Sequence, residues 1–383
     1  MKNTPMILAV LLFVSSCGAG RGASFQGLGV VPGGGSHQRS HAEGVSADGS
    51  VAVGIILNPS VGTRAFRWTE ACGMVNIGEF PGRNNIIGAR AVSADGSVLA
   101  GWGSSLSGHE AYRWTQSGGF VGLGDLPGEP FLSGANDISA GGDVIVGRGH
   151  NTSGQEAIRW TQAGGMVGLG DLPGGPHFSE ALGTSADGST VVGYGSVPSG
   201  EEGFVWTQVG GMVSIGDFSG GINQCWAFAV SADGSVVVGF GTGMGHPGAP
   251  PELAPGREAF RWTQAGGMVG LGDLPGGHFL STAHSTTADG SIIVGSSGTG
   301  LKEVIGPGGP SGIFDDVLEA FIWDQTNGMQ LLSHVLNTEY GLDLTGWTLT
   351  EALEITDNGQ AIVGRGINPS GLPEAWIAHL STE

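Results

Sequence analysis

The chain has 383 residues, 76 of them Gly and 18 Pro, with 39% hydrophobic and 13% charged residues. Glycine at this density without a three-residue period excludes collagen and weighs against long helices, since each interior Gly costs about 1 kcal/mol relative to Ala. The net charge is −20 and lysine occurs only at Lys2 and Lys302, so no basic stripe follows a phosphate backbone and nucleic acid is not an expected partner.

The first predicted element is an export signal. One Lys and then the apolar run Met6 to Val14 predict a signal peptide over residues 1–16, too short for a membrane span of about 20 residues. Val14-Ser15-Ser16-Cys17 resembles a bacterial lipobox. The resemblance implies cleavage before Cys17, lipid attachment at Cys17 and a tether over residues 17–24, with no other membrane contact. The alternative is a secretory signal cut after Ala19 or Ala23, with Cys17 discarded. The other cysteines, Cys72 and Cys225, fall in different repeats and strand columns and read as packing residues.

From residue 25 onward the chain repeats. Ser-Ala-Asp-Gly-Ser starts at Ser46, Ser93, Ser185 and Ser231, with degraded copies at Ser139, Thr287 and Thr356. Successive spacings are 47, 46, 46, 46, 56 and 69. A second phrase, close to Glu-Ala-Phe-Arg-Trp-Thr-Gln-Ala-Gly-Gly, begins at Arg64, Glu110, Glu156, Glu202, Glu258, Glu319 and Glu374. A third, Gly-Leu-Gly-Asp-Leu-Pro-Gly, is centred on Gly29, Gly78, Gly124, Gly170, Gly216 and Gly272, with Leu331-Leu332 as its eroded last member. Each unit predicts four short strands: a before the Ser, b the β-branched run after the Asp-Gly hairpin turn, c the Ala-Phe-Arg-Trp run and d the Met-Val-Gly run. Four strands per unit of about 45 residues is the signature of a propeller blade.

The chain opens with a lone strand d, Phe25 to Gly29, and ends on strands a, b and c of the seventh unit, at Glu374 to Leu380. The orphan first strand completes the last sheet, because an open blade leaves an unpaired edge. The expected fold is all-β: one seven-bladed β-propeller over residues 25–383, with a parallel β-helix as runner-up. The three phrases resemble the probable extracellular repeat of the HAF family, with Glu in place of His in Glu110-Ala111-Tyr112 and Glu258-Ala259-Phe260. That resemblance implies a bacterial exported or surface protein and brings no catalytic residues.

Repeated columns read as packing or turn chemistry. Ala stands four before the turn Ser/Thr in all seven units (Ala42, Ala89, Ala135, Ala181, Ala227, Ala283, Ala352), and Trp fills one strand-c column in six (Trp68, Trp114, Trp160, Trp206, Trp262, Trp323). Six turn acids (Asp48, Asp95, Asp187, Asp233, Asp289, Asp357), five in strand d and six in strand c account for seventeen of the 34 carboxylates. They are expected to cap turn amides or to pair with the strand-c Arg.

The a–b and c–d turns hardly vary, whereas three insertions fall at the other end: 239–257, 296–318 and 333–350. Variation confined to one face of a rigid ring suggests a binding surface. That face receives His37, His109, His150, His177, His246 and His278, spread over several blades, so neither a metal site nor a cofactor is expected. At the channel mouth, the position five before the turn Ser/Thr holds His41, Glu180, Trp226 and Glu351, with Trp347 in the adjacent insertion. Carboxylates beside aromatics suit a polar ligand such as a sugar. The expected function is therefore an exported, noncatalytic scaffold, favoured as a monomer, that binds glycan or an envelope protein, as an outer-membrane lipoprotein or a secreted protein. One alternative is a polysaccharide hydrolase or lyase using Glu180 and Glu351, which needs about 5–9.5 Å between them, and three blades of separation argue for a wider gap. The other is a purely structural envelope protein.

Overall fold

The computed structural model describes residues 22–31, 38–59, 62–82, 86–128, 130–218, 224–243, 256–306 and 309–380, with 302–306 and 309–315 as backbone. The signal segment, Cys17 and the tether through residue 21 lie outside the described residues, as do His37 and His246. Seven four-stranded antiparallel sheets succeed one another along the chain, and blade 1 (Arg39–Val45, Val51–Asn58, Gly62–Thr69, Gly73–Asn76) sets the pattern. The seventh sheet holds Thr348–Ile355, Ala361–Ile367 and Pro373–His379, and Ser24–Gly27 forms its outer strand with Ser24 opposite His379 and Gly27 opposite Trp376. The ring is closed as the leftover strand predicts.

Closure reproduces the bonds of the ordinary blades. Within blades 2 and 3, Leu123 and Leu169 donate their amides to the carbonyls of Ala111 and Ala157, and Leu28 does the same to Ala375 across the closure. Glu156 accepts the amide of Gly170 at 2.8 Å; Glu374 accepts that of Gly29 at 2.9 Å. At four places (Ser40, Ser133, Ser179 and Ser281) a serine of the next blade clasps the pair of outer strands. Ser179 Oγ accepts from Ala157 N at 2.9 Å and donates to Gly170 O at 2.7 Å, and Ser40 does so for Ala375 and Gly29 at 3.1 and 2.8 Å. Cys225 stands at this serine position in blade 5, buried and free of any disulfide, and its sulfur accepts from Gly203 N. Burial pushes its thiol far up.

The core is divided among the blade interfaces: each of seven hydrophobic clusters joins two neighbouring sheets. The strand-c Trp column belongs to these clusters, facing Met in register in five blades (Trp160 opposite Met166, for example) and Phe120 in blade 2. The Ala column is fully buried, and each Ala faces the strand-b Gly (Ala135 opposite Gly147). One residue later every strand a carries a bulge, so residues 43, 90, 136, 182, 228, 284 and 353 are extra and are thrust toward the axis.

Five of the a–b turns are carboxylate caps, at Asp48, Asp95, Asp187, Asp233 and Asp289. In blade 1, Asp48 Oδ1 accepts from Ser46 Oγ and Ser50 N at 2.8 and 2.9 Å, while Gly49 adopts φ 69°. The second turn residue donates to the next blade, giving six consecutive bonds among the described residues from Ala47→Ala94 to Ala288→Asp357.

Three expectations are corrected. In blade 7 the cap is Asn358, which accepts from Thr356 and Gln360, so Asp357 is not a turn cap but occupies the Ala position of the other turns. The strand-c arginines Arg159 and Arg261 do not pair with the repeated acids; they donate to Gly188 O and Gly290 O of the next blade's turn at 3.1 and 3.2 Å. Two insertions are ordered rather than loops. Strands Ile292–Gly306 and Gly309–Asp324 form one long hairpin, in keeping with the β-branched Val304, Ile305, Ile313 and Val317 of their sequence. Leu332–Thr338 is a short helix that buries Leu332, Val335 and Leu336 at helical spacing.

Candidate functional site

Two columns build the mouth of the axial channel. Strand a contributes the position five before the turn Ser/Thr, and strand b the residue after its Gly. The bulge places them opposite one another: His41 with Ile55, Gly88 with Trp102, Gly134 with Arg148, Glu180 with Tyr194, Trp226 with Phe240, Thr282 with Ser296 and Glu351 with Arg365. At this end the b–c and d–a segments of neighbouring blades also bridge, as Gln155 with Phe178 and Glu201 with Gln224.

The structure sorts the expected residues into two groups and one outlier. Glu180 and Trp226, in blades 4 and 5, are joined through Tyr194. The Tyr194 and Trp226 rings stack at 4.3 Å and 18°, and the Tyr194 hydroxyl donates to Glu180 Oε2 at 3.3 Å. Trp226 Nε1 donates to Glu201 Oε2 at 2.8 Å. Glu180 is 6% exposed and also accepts from Asn136 Nδ2 (2.9 Å), Gln155 Nε2 (3.1 Å) and Arg148 Nη1 (3.3 Å). Phe228 and Phe240 extend the aromatic wall, with the Arg257 guanidinium 4.0 Å over the Phe240 ring.

His41 and Glu351, in blades 1 and 7, line a cavity of about 500 Å³ with Arg39 and Arg365. Glu351 accepts from the Arg365 guanidinium. Burial lowers His41 to about 4, with Arg365 and Arg39 assisting and Glu351 opposing, so its ring is neutral at pH 7. Trp347 stands apart from both groups. Its ring meets Phe25 edge-on at 5.3 Å and covers Gly27, so it holds the closing strand.

Among the described residues Glu180 and Glu351 share no hydrogen-bond partner: Glu180 is held from blades 3 and 4, and Glu351 by Arg365 of blade 7. The described upper-face histidines are likewise dispersed: His150 meets Leu132 O at 2.9 Å, His177 lies 3.5 Å from Glu156, and His278 lies 3.1 Å from Asp316. Sequence reasoning missed Tyr194, Glu201, Gln155, Arg148 and Phe240. The available signal was the residue after each strand-b Gly, which runs Ile, Trp, Arg, Tyr, Phe, Ser, Arg amid otherwise uniform columns.

No family model and no curated protein matches the sequence. Among solved structures, the oligogalacturonate lyase of Vibrio parahaemolyticus is 12% identical with a TM-score of 0.57, over 94% of this chain and 98% of that one. TolB from Acinetobacter baumannii is 13% identical with a TM-score of 0.43, over 87% of this chain and 81% of that one. At these identities the likeness is one of fold alone.

Proposed function

We propose that the protein is an exported, noncatalytic scaffold that binds a glycan at the long-loop mouth of its propeller. The observation that carries this reading is the Tyr194–Trp226 stack with Glu180 and Glu201 at its edges. A partly exposed aromatic face accepts the C–H face of a sugar, and adjacent carboxylates and amides accept or donate to its hydroxyls. The hydrolase or lyase reading is less favoured because Glu180 already receives four different side chains and Glu351 is bound to Arg365. Neither carboxylate is free to shuttle a proton.

Export rests on the signal-like residues 1–16, and anchoring on Cys17 of the lipobox-like sequence. The register of the closing strand supports an orientation. Ser24 lies opposite His379, at the end of strand c where the short turns sit, so the tether reaches the ring on the turn face. Seven residues extend at most ~25 Å. A lipid on Cys17 would therefore hold the propeller near the membrane with the mouth directed away.

A saccharide array tests the function. Binding that falls at least about tenfold in Trp226→Ala and persists in Trp226→Phe supports the reading, that loss being the size expected of a hot-spot aromatic. Failure to bind any saccharide overturns it in favour of a protein ligand or a purely structural role. Palmitate incorporation that disappears in Cys17→Ser tests the anchor.

A further inference from the structure

Seven strands present equivalent positions to the axis, so departures from a column are legible. Two residues before the turn Ser/Thr, five blades carry Gly44, Ala91, Gly183, Ala229 and Ser285, while blades 3 and 7 carry Asp137 and Glu354. One residue after it, six blades carry Ala and blade 7 carries Asp357. All three carboxylates line one cavity of about 350 Å³ on the axis.

Asp137 has a structural use. It accepts the amides of Ile138 at 2.7 Å and of Thr184 in the next blade at 2.8 Å, as Ser285 accepts that of Ile355 at 3.3 Å. Glu354 and Asp357 have none: among the described residues no N–H or O–H donates to either carboxylate. Glu354 lies deep among protein groups but stays partly open to the channel it lines, whereas Asp357 is exposed, and the charges that act on Glu354, Asp137 and Asp357, are both negative. No three acidic, His or Cys groups among the described residues stand close enough to hold a metal ion, so a compact inorganic centre does not fit. Between Asp137 and Glu354 on one side and Asp357 on the other, the lining is Val45, Val92, Ile138, Val230 and Ile355 together with Thr184 and Thr286, whose hydroxyls donate to Thr190 O and Ile292 O. The three residues from 354 to 357 span on the order of 10 Å along a strand.

We propose that the axial channel binds a linear organic polycation of the polyamine class, one ammonium group at Asp137 and Glu354, the methylene chain along the aliphatic side chains between, and a second ammonium group at Asp357. The site is separate from the mouth and does not depend on the glycan reading. Protonation supports it. Burial pushes Asp137 up to about 7, against its amide bonds and with help from Asp357, and pushes Glu354 well above the usual glutamate range, with both acids assisting. Asp357 is also raised by burial. At the upper end of the cavity, burial lowers His284 to about 4 and raises Glu43, the latter opposed by Arg90. The empty channel therefore retains protons near pH 7, and an entering cation displaces them.

Calorimetric titration of the mature protein with spermidine, in phosphate and in Tris, tests this. Expected are one saturable site, proton release seen as a buffer-dependent enthalpy, and affinity that rises from about pH 6 to 8. Asp357→Ala restores the residue of the other six blades, and Glu354→Gln keeps the shape. Each should weaken spermidine at least ~10-fold, as should replacing spermidine by n-butylamine, while Trp226→Ala should not. The proposal is overturned by no saturable binding, by several weak sites indifferent to both variants, by equal affinity for n-butylamine, or by calcium occupying the site as well as spermidine does.

Discussion

Gly147→Ala tests the rule that holds each blade to the axis. Gly147 faces Ala135 across strands a and b of blade 3, and a Cβ built on it would stand 2.0 Å from Gly134 O and 3.0 Å from Ala135 Cα. Both obstacles are backbone, and real Cβ contacts essentially never fall below 3.0 Å, so the strands must part by at least 3.0 − 2.0 = 1.0 Å. Gly147 is also pinned on its other side opposite Ile158. A retreat of that size is about a fifth of the interstrand spacing of ~4.8 Å. It costs about 1–3 kcal/mol as overpacking and about 1 kcal/mol for each of two ladder bonds, or about 3–5 kcal/mol together. Gly300→Ala is the control, since a Cβ there meets nothing within 4 Å and its φ is ordinary; it should be neutral or stabilise by up to about 1 kcal/mol. Urea unfolding followed by tryptophan fluorescence measures both. A loss below about 1 kcal/mol in Gly147→Ala, or a loss equal to that in Gly300→Ala, would refute close backbone approach as the reason for the column.

Glu374→Ala removes the acceptor of Gly29 N and Asn368 Nδ2, at 2.9 and 2.6 Å, and should accelerate amide exchange across residues 24–28. Glu110→Ala breaks the matching bond to Gly124 inside blade 2 and should leave that segment protected; equal exchange in both would contradict closure by this bond. Ser179→Ala should cost about 2 kcal/mol through the orphaned Ala157 amide, and Ser179→Cys should recover part of it, since Cys225 fills the same place in blade 5. Asp137 keeps its proton in the folded chain after the unfolded chain has lost it, so its contribution is complete below about pH 4 and is lost as pH rises to about 7. Wild type should thus lose up to about 3 kcal/mol more stability than Asp137→Asn between about pH 4.5 and 7, and parallel curves would show that the group is not buried as described.

The ring was legible because every blade solves one packing problem with the same residues. The Asp-Gly turns, the Ala and Trp columns and the unmatched Phe25 to Gly29 strand sufficed to place sheets, interfaces and closure. The site was only half legible, and the bulge is the reason. Near the turn, Val45 faces Ala52 and Gly44 faces Val53; beyond the bulge, Ala42 faces Gly54 and His41 faces Ile55, one residue out of step. Counting from the turn alone therefore finds Glu180 and Trp226 but not their partners Tyr194 and Phe240. Asp357 was misplaced for a related reason: Thr356-Asp357-Asn358-Gly359 resembles a turn with an early Asp, and only the accepted bonds at Asn358 reveal which residue caps it. Trp347 lies four residues before the mouth residue Glu351, but nearness in sequence does not reveal that its ring packs on Phe25.

The same geometry explains where the sevenfold pattern is allowed to break. A residue that touches both neighbouring sheets is fixed by two surfaces that are themselves repeated, so the Ala, strand-b Gly and strand-c Trp positions admit little change. The bulge residue instead lines the axial cavity, and there the chain places Glu43, Arg90, Asn136, Leu182, Phe228, His284 and Leu353 on seven successive blades. Diversity at the axis costs the interfaces nothing. The carboxylates of Glu354 and Asp357 are a different kind of departure, because an Ala or Ser would serve the interface and neither acid gains a protein donor. Setting the Glu354 carboxylate deep in the protein without a donor lowers stability, a cost that an entering cation would offset. A chain whose remaining inner columns are so uniform has no structural use for those two charges, and that mismatch places the unassigned chemistry on the axis as well as at the mouth.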